Sequence, residues 1–404
     1  FQAEDGIRDV ERSRGLGDVY KRQQQGFNGS FELARKISKH TPEDLNRIFF
    51  TMCGSSAVDT AIKTAIAYFK AKGEGHRHHI VGRERGYHGM NIGGISVGGM
   101  VANRKTFSSI LMPNTHHLRH THLPENKFVR GEPETGDYLA EDLERIAGHI
   151  GGENIAACIV EPVAGSTGTL VPPKGYLKKL REICDKHGIL LIFDEVVTGF
   201  RCAPGGAQEA YGITPDLTTM AKILAGGLPG GAVGGRKEIL EELDFEKTAE
   251  RGREKIQHPG TFNANPVSAT AGITALKIIE RTDACERANE SASWLRDQFN
   301  KTFEEKNISW AAYGTFSGVH IFMNKGGIPL QPSNFDAAAI PYKELKNKDP
   351  QLVTKLRLAM AINGVDFNNS PGAQLSAVHT KDDLEFTVGA FGEALDMLKR
   401  DGEL

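Results

Sequence analysis

Residues 155–196 read IAACIVEPVAGSTGTLVPPKGYLKKLREICDKHGILLIFDEV, two apolar runs separated by an amphipathic stretch. The runs Ile155–Pro162 and Ile189–Val196 show no polar alternation, and each reaches a carboxylate near its end, Glu161 in the first and Asp194 in the second. A strand buried on both faces reads this way, and the strands of a parallel α/β sheet are buried on both faces. Between them, residues 175–187 carry Leu177, Leu180, Ile183 and Cys184 on one helical face and are followed by Gly188, which predicts a crossover helix and its stop. The unit is βαβ, and its carboxylates stand at the carboxyl edge of the strands, where open α/β sheets bind ligands.

The same alternation of short apolar runs with amphipathic stretches extends from Phe27 to about Glu280 and predicts an α/β large domain, 27–280, on a mostly parallel sheet. Beyond it, helical segments and short alternating stretches such as Gly318-Val-His-Ile-Phe-Met predict a smaller α+β domain at the carboxyl terminus, 281–404. The first 23 residues hold many charges and no periodicity able to bury a face. They resemble a translated sequencing adapter of the kind fused to metagenomic reading frames, so 1–23 is expected to be a non-native leader standing in place of a missing native N-terminus.

Composition narrows the function classes. With 404 residues, 49 basic against 51 acidic side chains and a formal charge of −2, the chain shows no electrostatic footprint for nucleic acid or an anionic membrane. Small molecules are the expected partners. Five cysteines, none spaced as CxxC, argue against a disulfide framework or zinc site and for a reducing, cytoplasmic setting. No apolar run approaches the roughly 20 residues that cross a bilayer. His76, His78, His79, His116, His117, His120 and His122 lie in polar, loop-like sequence without ligand spacing on a helix or strand, so no metal site is predicted.

Three places invite chemistry, each with a plainer reading beside it. Gly54-Ser55-Ser56 stands between the apolar run Ile48-Phe-Phe-Thr-Met and a helical stripe of Val58, Ala61, Ile62, Ala65, Ile66 and Phe69. A helix start with free N–H groups and two hydroxyls suits a phosphate, and a simple serine N-cap suits it equally. Asp194 closes an apolar strand, where an ionised carboxylate needs a cation; a protonated pyridine nitrogen would serve, as would Arg201 or a neighbouring loop. Lys222 closes the apolar stretch after Pro215-Asp-Leu-Thr-Thr and is followed by three Gly-Gly pairs, a place where backbone approaches a ligand closely and where burial would lower the amine's pKa. A solvated surface lysine is the plain alternative.

Together these residues resemble the class III (ω-type) aminotransferases, enzymes of the aspartate-aminotransferase fold (fold type I), over about Phe49 to Leu395. Residues 155–201 and 82–99 (GRERGYHGMNIGGISVGG) are similar to ω-amino acid:pyruvate aminotransferases; 201–236 are more similar to glutamate-1-semialdehyde aminomutases. The resemblance implies a pyridoxal 5′-phosphate (PLP)-dependent enzyme in which Lys222 forms the internal aldimine and moves the substrate proton, while Asp194 keeps the pyridine nitrogen protonated. It further implies Val196 and Tyr87 on the two ring faces, with His88 beside Tyr87 in the Tyr-His-Gly motif, Gly54 and Ser55 at the phosphate, and Glu161 near Asp194 and the cofactor's O3′ side. Thr261, in His258-Pro-Gly-Thr, matches a residue that reaches the phosphate of the partner subunit's cofactor, which implies a homodimer with shared active sites. An amine donor and a keto-acid acceptor such as pyruvate are the implied substrates.

The chain departs from the family in three respects. Ser56 stands where a glutamate is usual, the segment that the family carries before the point matching Phe27 is expected to be missing, and no carboxylate occupies the stretch around Pro371 where aminomutases keep an acidic gate. The last disfavours the alternative of a glutamate-1-semialdehyde 2,1-aminomutase. A catalytically silent protein of the same fold is the other alternative. Arg201 and Arg357 are candidates for binding the acceptor carboxylate, and structural roles serve them as well.

Overall fold

The computed structural model describes residues 27–123, 133–165, 171–345, 347–368 and 371–404; the leader expected at 1–23 lies outside them. The chain divides into two compact units. The first comprises residues up to Arg119, Ala140–Pro162 and Lys178–Arg281; the second comprises His120–Leu139, Val163–Leu177 and Thr282–Leu404.

A seven-stranded sheet organises the first unit: β1 (Arg47–Thr51), β2 (His79–Arg83), β3 (Thr115–Leu118), β4 (Ile155–Val160), β5 (Leu190–Asp194), β6 (Leu217–Ala221) and β7 (Gly231–Gly235), in spatial order β1-β7-β6-β5-β4-β2-β3. From β6 to β3 every neighbouring pair is parallel, which gives the expected mostly parallel sheet. The two apolar runs of the opening stretch are β4 and β5, every residue of both being buried. β4 stops two residues short of the predicted end, since Pro162 has no N–H for the ladder.

β7 runs antiparallel to both β6 and β1. It holds three of the six glycines of the run after Lys222, for a reason different from the one expected. A Cβ on Gly235 would stand 2.4 Å from Leu217 Cδ2, and one on Gly234 3.1 Å from Thr218 Cγ2, so these glycines let three strands lie side by side. Of the six, Gly230 lines the cavity described below.

The longer helices are α1 (Asn28–His40), α2 (Gly54–Ala71), α3 (Glu141–Ile150), α4 (Tyr176–His187), α5 (Pro266–Arg281), α6 (Ala284–Glu305), α7 (Pro350–Ile362) and α8 (Lys381–Arg400). α2 buries Val58, Ala61, Ile62, Ala65 and Phe69 against Ile80, Ile159, Ile192 and Val233 of the sheet. At about 1.5–3 kcal/mol for each large side chain removed from water, this face fixes where α2 begins. α4 is the crossover helix; Leu180 and Cys184 are fully buried, and Gly188 ends it at φ 64°, in the left-handed region glycine adopts freely. α1 lies on α5, joined by Lys36 Nζ to Glu280 at 2.5 Å.

In the second unit β8 (Ala311–Tyr313), β9 (Gly318–Phe322) and β10 (Gly372–Gln374) form an antiparallel sheet in the order β10-β9-β8. α6, α7 and α8 share a core with it in which Phe299 and Phe391 stack with centroids 4.0 Å apart. A reciprocal Thr380–Asp383 capping box starts α8.

The histidine expectation needs correction. His79 lies on β2 and His116 and His117 on β3, at one edge of the large sheet, with His79 Nδ1 2.8 Å from His116 Nε2. β3 is the edge strand, and an edge strand tolerates such polar sequence because it is not covered on every side, while β2 lies beside it, paired with both β3 and β4; polarity alone misread both as loop. Among the described residues no three or more His, Cys, Asp and Glu side chains gather as a metal site would need. All five cysteines are free, and no helix among the described residues is long and apolar enough to cross a membrane.

Candidate active site

The strand order determines what meets at the carboxyl edge of the sheet. β4, β5 and β6 are consecutive parallel neighbours; Glu161 follows the first, Asp194 ends the second and Lys222 follows the third. Tyr87 and His88 follow β2, and Gly54 opens α2 after β1, which runs in the same direction. Each of these turns therefore delivers one or two of the expected residues to a common crevice. A cavity of about 330 Å³ there is lined by Gly54, Ser55, Tyr87, His88, Glu161, Asp194, Val196 and Lys222. Eight of the nine expected residues are thus brought together, while Thr261 lies in an exposed turn of the first unit and does not line the cavity.

Asp194 is buried and fully engaged. Its Oδ2 lies 2.8 Å from His88 Nδ1, while Oδ1 accepts from the Val196 N–H and from Thr219 Oγ1, each at 3.1 Å. An ionised carboxylate only accepts, so the His88 proton on this contact sits on Nδ1. The opposite ring nitrogen, Nε2, is buried and has no hydrogen-bond partner. Arg201, the alternative partner considered for Asp194, donates its Nε to the Val197 carbonyl at 2.9 Å.

Lys222 is exposed to the cavity rather than buried, yet protein surrounds it closely. That desolvation, with the Arg201 charge nearby, lowers its pKa from the usual 10.5, against the opposing pull of Asp194 and Glu161. Its φ of 51° is left-handed, a conformation that costs a non-glycine residue on the order of 1 kcal/mol and concentrates at functional sites. Glu161 is buried and accepts the Tyr87 N–H at 2.9 Å. Desolvation raises its pKa, and the Asp194 charge adds to the rise.

Gly54, Ser55 and Ser56 form the first turn of α2 rather than a turn before it, with Cys53 at the N-cap. Ser55 Oγ does not cap its own helix; it accepts the Met90 N–H at 3.1 Å and keeps its own proton to donate. A Cβ on Gly54 would stand 2.7 Å from Val196 Cγ1, so this helix start and the segment after β5 touch. Arg357 belongs to the second unit, where its Nε donates to the Phe367 carbonyl at 3.0 Å.

Sequence reading overlooked Thr219, the hydroxyl donor to Asp194. The available signal was register: Thr219 pairs with Asp194 across β5 and β6 and faces the same way as Ala221, which lines the cavity.

The fold and this arrangement are those of an aminotransferase-type α/β protein with a lysine and a strand-end aspartate in one crevice. The family Aminotransferase class-III matches residues 21–326, and the chain belongs to that family. An omega-aminotransferase of Caulobacter vibrioides is 46% identical over 282 residues, covering 69% of this chain and 63% of its own length. A beta-alanine–pyruvate aminotransferase of Pseudomonas aeruginosa is 43% identical over 302 residues, covering 74% and 67%. The match thus spans about two thirds of these curated relatives. Among solved structures, a thermostable (S)-enantioselective omega-transaminase from Thermomicrobium roseum superposes with a TM-score of 0.74 at 27% identity, covering 95% of this chain and 85% of that one.

Proposed function

We propose that the protein is a PLP-dependent transaminase that moves an amino group from an amine or a β- or ω-amino acid to a keto acid such as pyruvate. The observation that carries this reading is the convergence of Lys222, Asp194 and Glu161 from three adjacent strands onto a cavity that also contains a helix start. The family, and the relatives named for ω-amino and β-alanine–pyruvate transfer, support the choice of chemistry.

The residues present fit the cofactor. The first-turn N–H groups of α2 and the hydroxyl of Ser55 suit a phosphate at the positive end of a helix dipole. Tyr87 and Val196 offer surfaces for two ring faces. Asp194 offers a buried negative charge for a ring N–H, and its three donors hold that charge in place and in one orientation. PLP supplies, when bound, an electron sink that acidifies the proton on the amino-bearing carbon.

The chain's own part is to hold, orient and move that proton. Lys222, its pKa lowered by crowding, keeps a larger neutral fraction than a surface lysine and can accept the proton at Nζ and return it. His88, by donating Nδ1–H to Asp194, holds the carboxylate in place and in one orientation. Glu161, drawn toward its neutral form and anchored by the Tyr87 N–H, limits the negative charge gathered beside Asp194. Thr261 is proposed to reach the cofactor phosphate of a partner subunit in a homodimer, and the free cysteines suit a cytoplasmic setting.

The test is a donor panel (β-alanine, 1-phenylethylamine, taurine, β-phenylalanine, ornithine) against pyruvate and 2-oxoglutarate, reading the amino acid formed. Alanine formation from pyruvate with at least one donor is expected. Isomerisation of glutamate-1-semialdehyde without any keto acid would replace this reading with the aminomutase one, and cofactor retention without turnover would leave a silent PLP-fold protein.

A further inference from the structure

Glu195 is a buried carboxylate to which the reading above gives no task. Its Oε2 accepts from Thr198 Oγ1 at 2.5 Å and from the Ala207 N–H at 2.8 Å, and its Oε1 accepts from the Gln208 N–H at 2.7 Å. These donors sit near the two ends of the excursion 196–208 that follows β5, so one side chain closes it. The approach is close: Gly206 has φ 79°, and a Cβ there would lie 2.6 Å from Glu195 Oε2.

The start of this excursion carries residues of the cavity. Val196 donates its N–H to Asp194 Oδ1, and its methyl groups would lie 2.7 and 2.9 Å from a Cβ on Gly54 at the start of α2. Val197 lines the cavity, and its carbonyl accepts from Arg201 Nε. Where the excursion is fixed, Val196 is therefore fixed between the aspartate and the helix start.

We propose, resting on the transaminase reading, that Glu195 is a positioning residue of the cofactor bed: by tying Thr198, Ala207 and Gln208 to the end of β5, it sets where Val196 stands between Asp194 and Gly54. Burial pushes the Glu195 pKa up to about 7, and in the ionised form that prevails above it the carboxylate suits the task because both its oxygens accept and neither donates, whereas the donors converging on it include two backbone N–H groups. A glutamine would turn an NH₂ toward one of those donors or leave one without an acceptor. A residue serving only to cap the short helix Gly206–Tyr211 would have no bearing on Val196 or on Asp194.

The test uses Glu195→Gln and Thr198→Val in the PLP-loaded protein, with cofactor dissociation constant, visible circular dichroism and absorbance–pH titration of the bound cofactor, and the half-reaction rate with an amine per bound cofactor. For Glu195→Gln we expect a folded protein whose rate per bound cofactor falls about 10–100-fold, as misplacement of supporting groups by about 1 Å does, with weaker retention and an altered visible dichroism. Thr198→Val, which removes one of three bonds, changes the same readouts in the same direction by about threefold, a loss of under 1 kcal/mol. A lowered melting temperature with rate per cofactor and dichroism unchanged in both variants would reduce Glu195 to a helix anchor and overturn the proposal. Should Glu195→Gln fail to fold, Thr198→Val decides alone: unchanged readouts overturn it, shifted ones support it. A parent protein that neither binds PLP nor transaminates would remove the transaminase reading and this role with it, a failure recognised before any substitution is made.

Discussion

Replacing Gly54 by alanine probes the contact on which the cofactor bed is built. The added methyl would lie 2.7 Å from Val196 Cγ1 and 2.9 Å from Cγ2, where carbon atoms rest at about 3.5–4.0 Å. About 1 Å of movement must come from somewhere. The helix start is tied by the Ala57 N–H to the Cys53 carbonyl at 3.0 Å, and Val196 by its N–H to Asp194, so neither yields freely. Overpacking of this kind costs about 1–3 kcal/mol, while alanine in place of glycine in a helix returns up to about 1 kcal/mol. Global stability should therefore fall by about 0–3 kcal/mol, the first figure less whatever part of the second is realised. Cofactor affinity lacks the propensity gain and bears the whole displacement, a loss of about 5- to 150-fold. Equilibrium titration of the apoprotein with PLP, followed by absorbance, measures the second quantity, and urea unfolding of the apoprotein the first. Unchanged affinity in Gly54→Ala would refute the idea that the Gly54–Val196 contact shapes the cofactor site.

Asp194→Asn should retain cofactor yet slow proton removal from the amine by about 10²–10⁴-fold, the span typical of a lost proton-transfer or charge-stabilising group; single-turnover rates comparable to the parent would refute the role given to Asp194. His117, whose pKa burial lowers from 6.5 to about 4, is neutral in the folded protein and charged more readily when unfolded. Its contribution is complete above pH 6.5 and is lost as pH falls from there toward 4, reaching on the order of 3 kcal/mol at about 1.4 kcal/mol per unit. Unfolding free energies at pH 4 to 7 should show that decline in the parent and a flatter one in His117→Gln; parallel curves would count against it. In the second unit, Phe391→Ala removes the ring stacked on Phe299 and should cost about 3–5 kcal/mol, read as an earlier loss of that unit's helical signal on urea titration; a change below about 1 kcal/mol would show that the site closes over the gap.

Much of this was written in local sequence. An unbroken apolar run ending in a carboxylate has few homes other than a buried parallel strand, which is why β4, β5, Glu161 and Asp194 were legible from composition and order. Lys222 was legible as the residue just past β6 because an apolar stretch stopped there. Its glycine-rich sequel was misread, since Gly234 and Gly235 answer to Leu217 and Thr218 across the sheet, partners no local pattern reveals. The same limit hid the bond between His88 and Asp194, 106 residues apart, and the grip of Glu195 on Ala207 and Gln208. It also hid that residues 120–139 and 163–177 group with the carboxyl-terminal unit, because grouping is decided by contacts made after each segment leaves its strand.

Reductive trapping offers the most direct measurement. The protein is incubated with PLP, treated with borohydride and digested, and its peptides are sequenced by mass spectrometry. If the amine beside Asp194 is the one that holds the cofactor, a single pyridoxyl group will be found on Lys222 and none will form in Lys222→Ala. A label spread over surface lysines, or an equal label in Lys222→Ala, would contradict it.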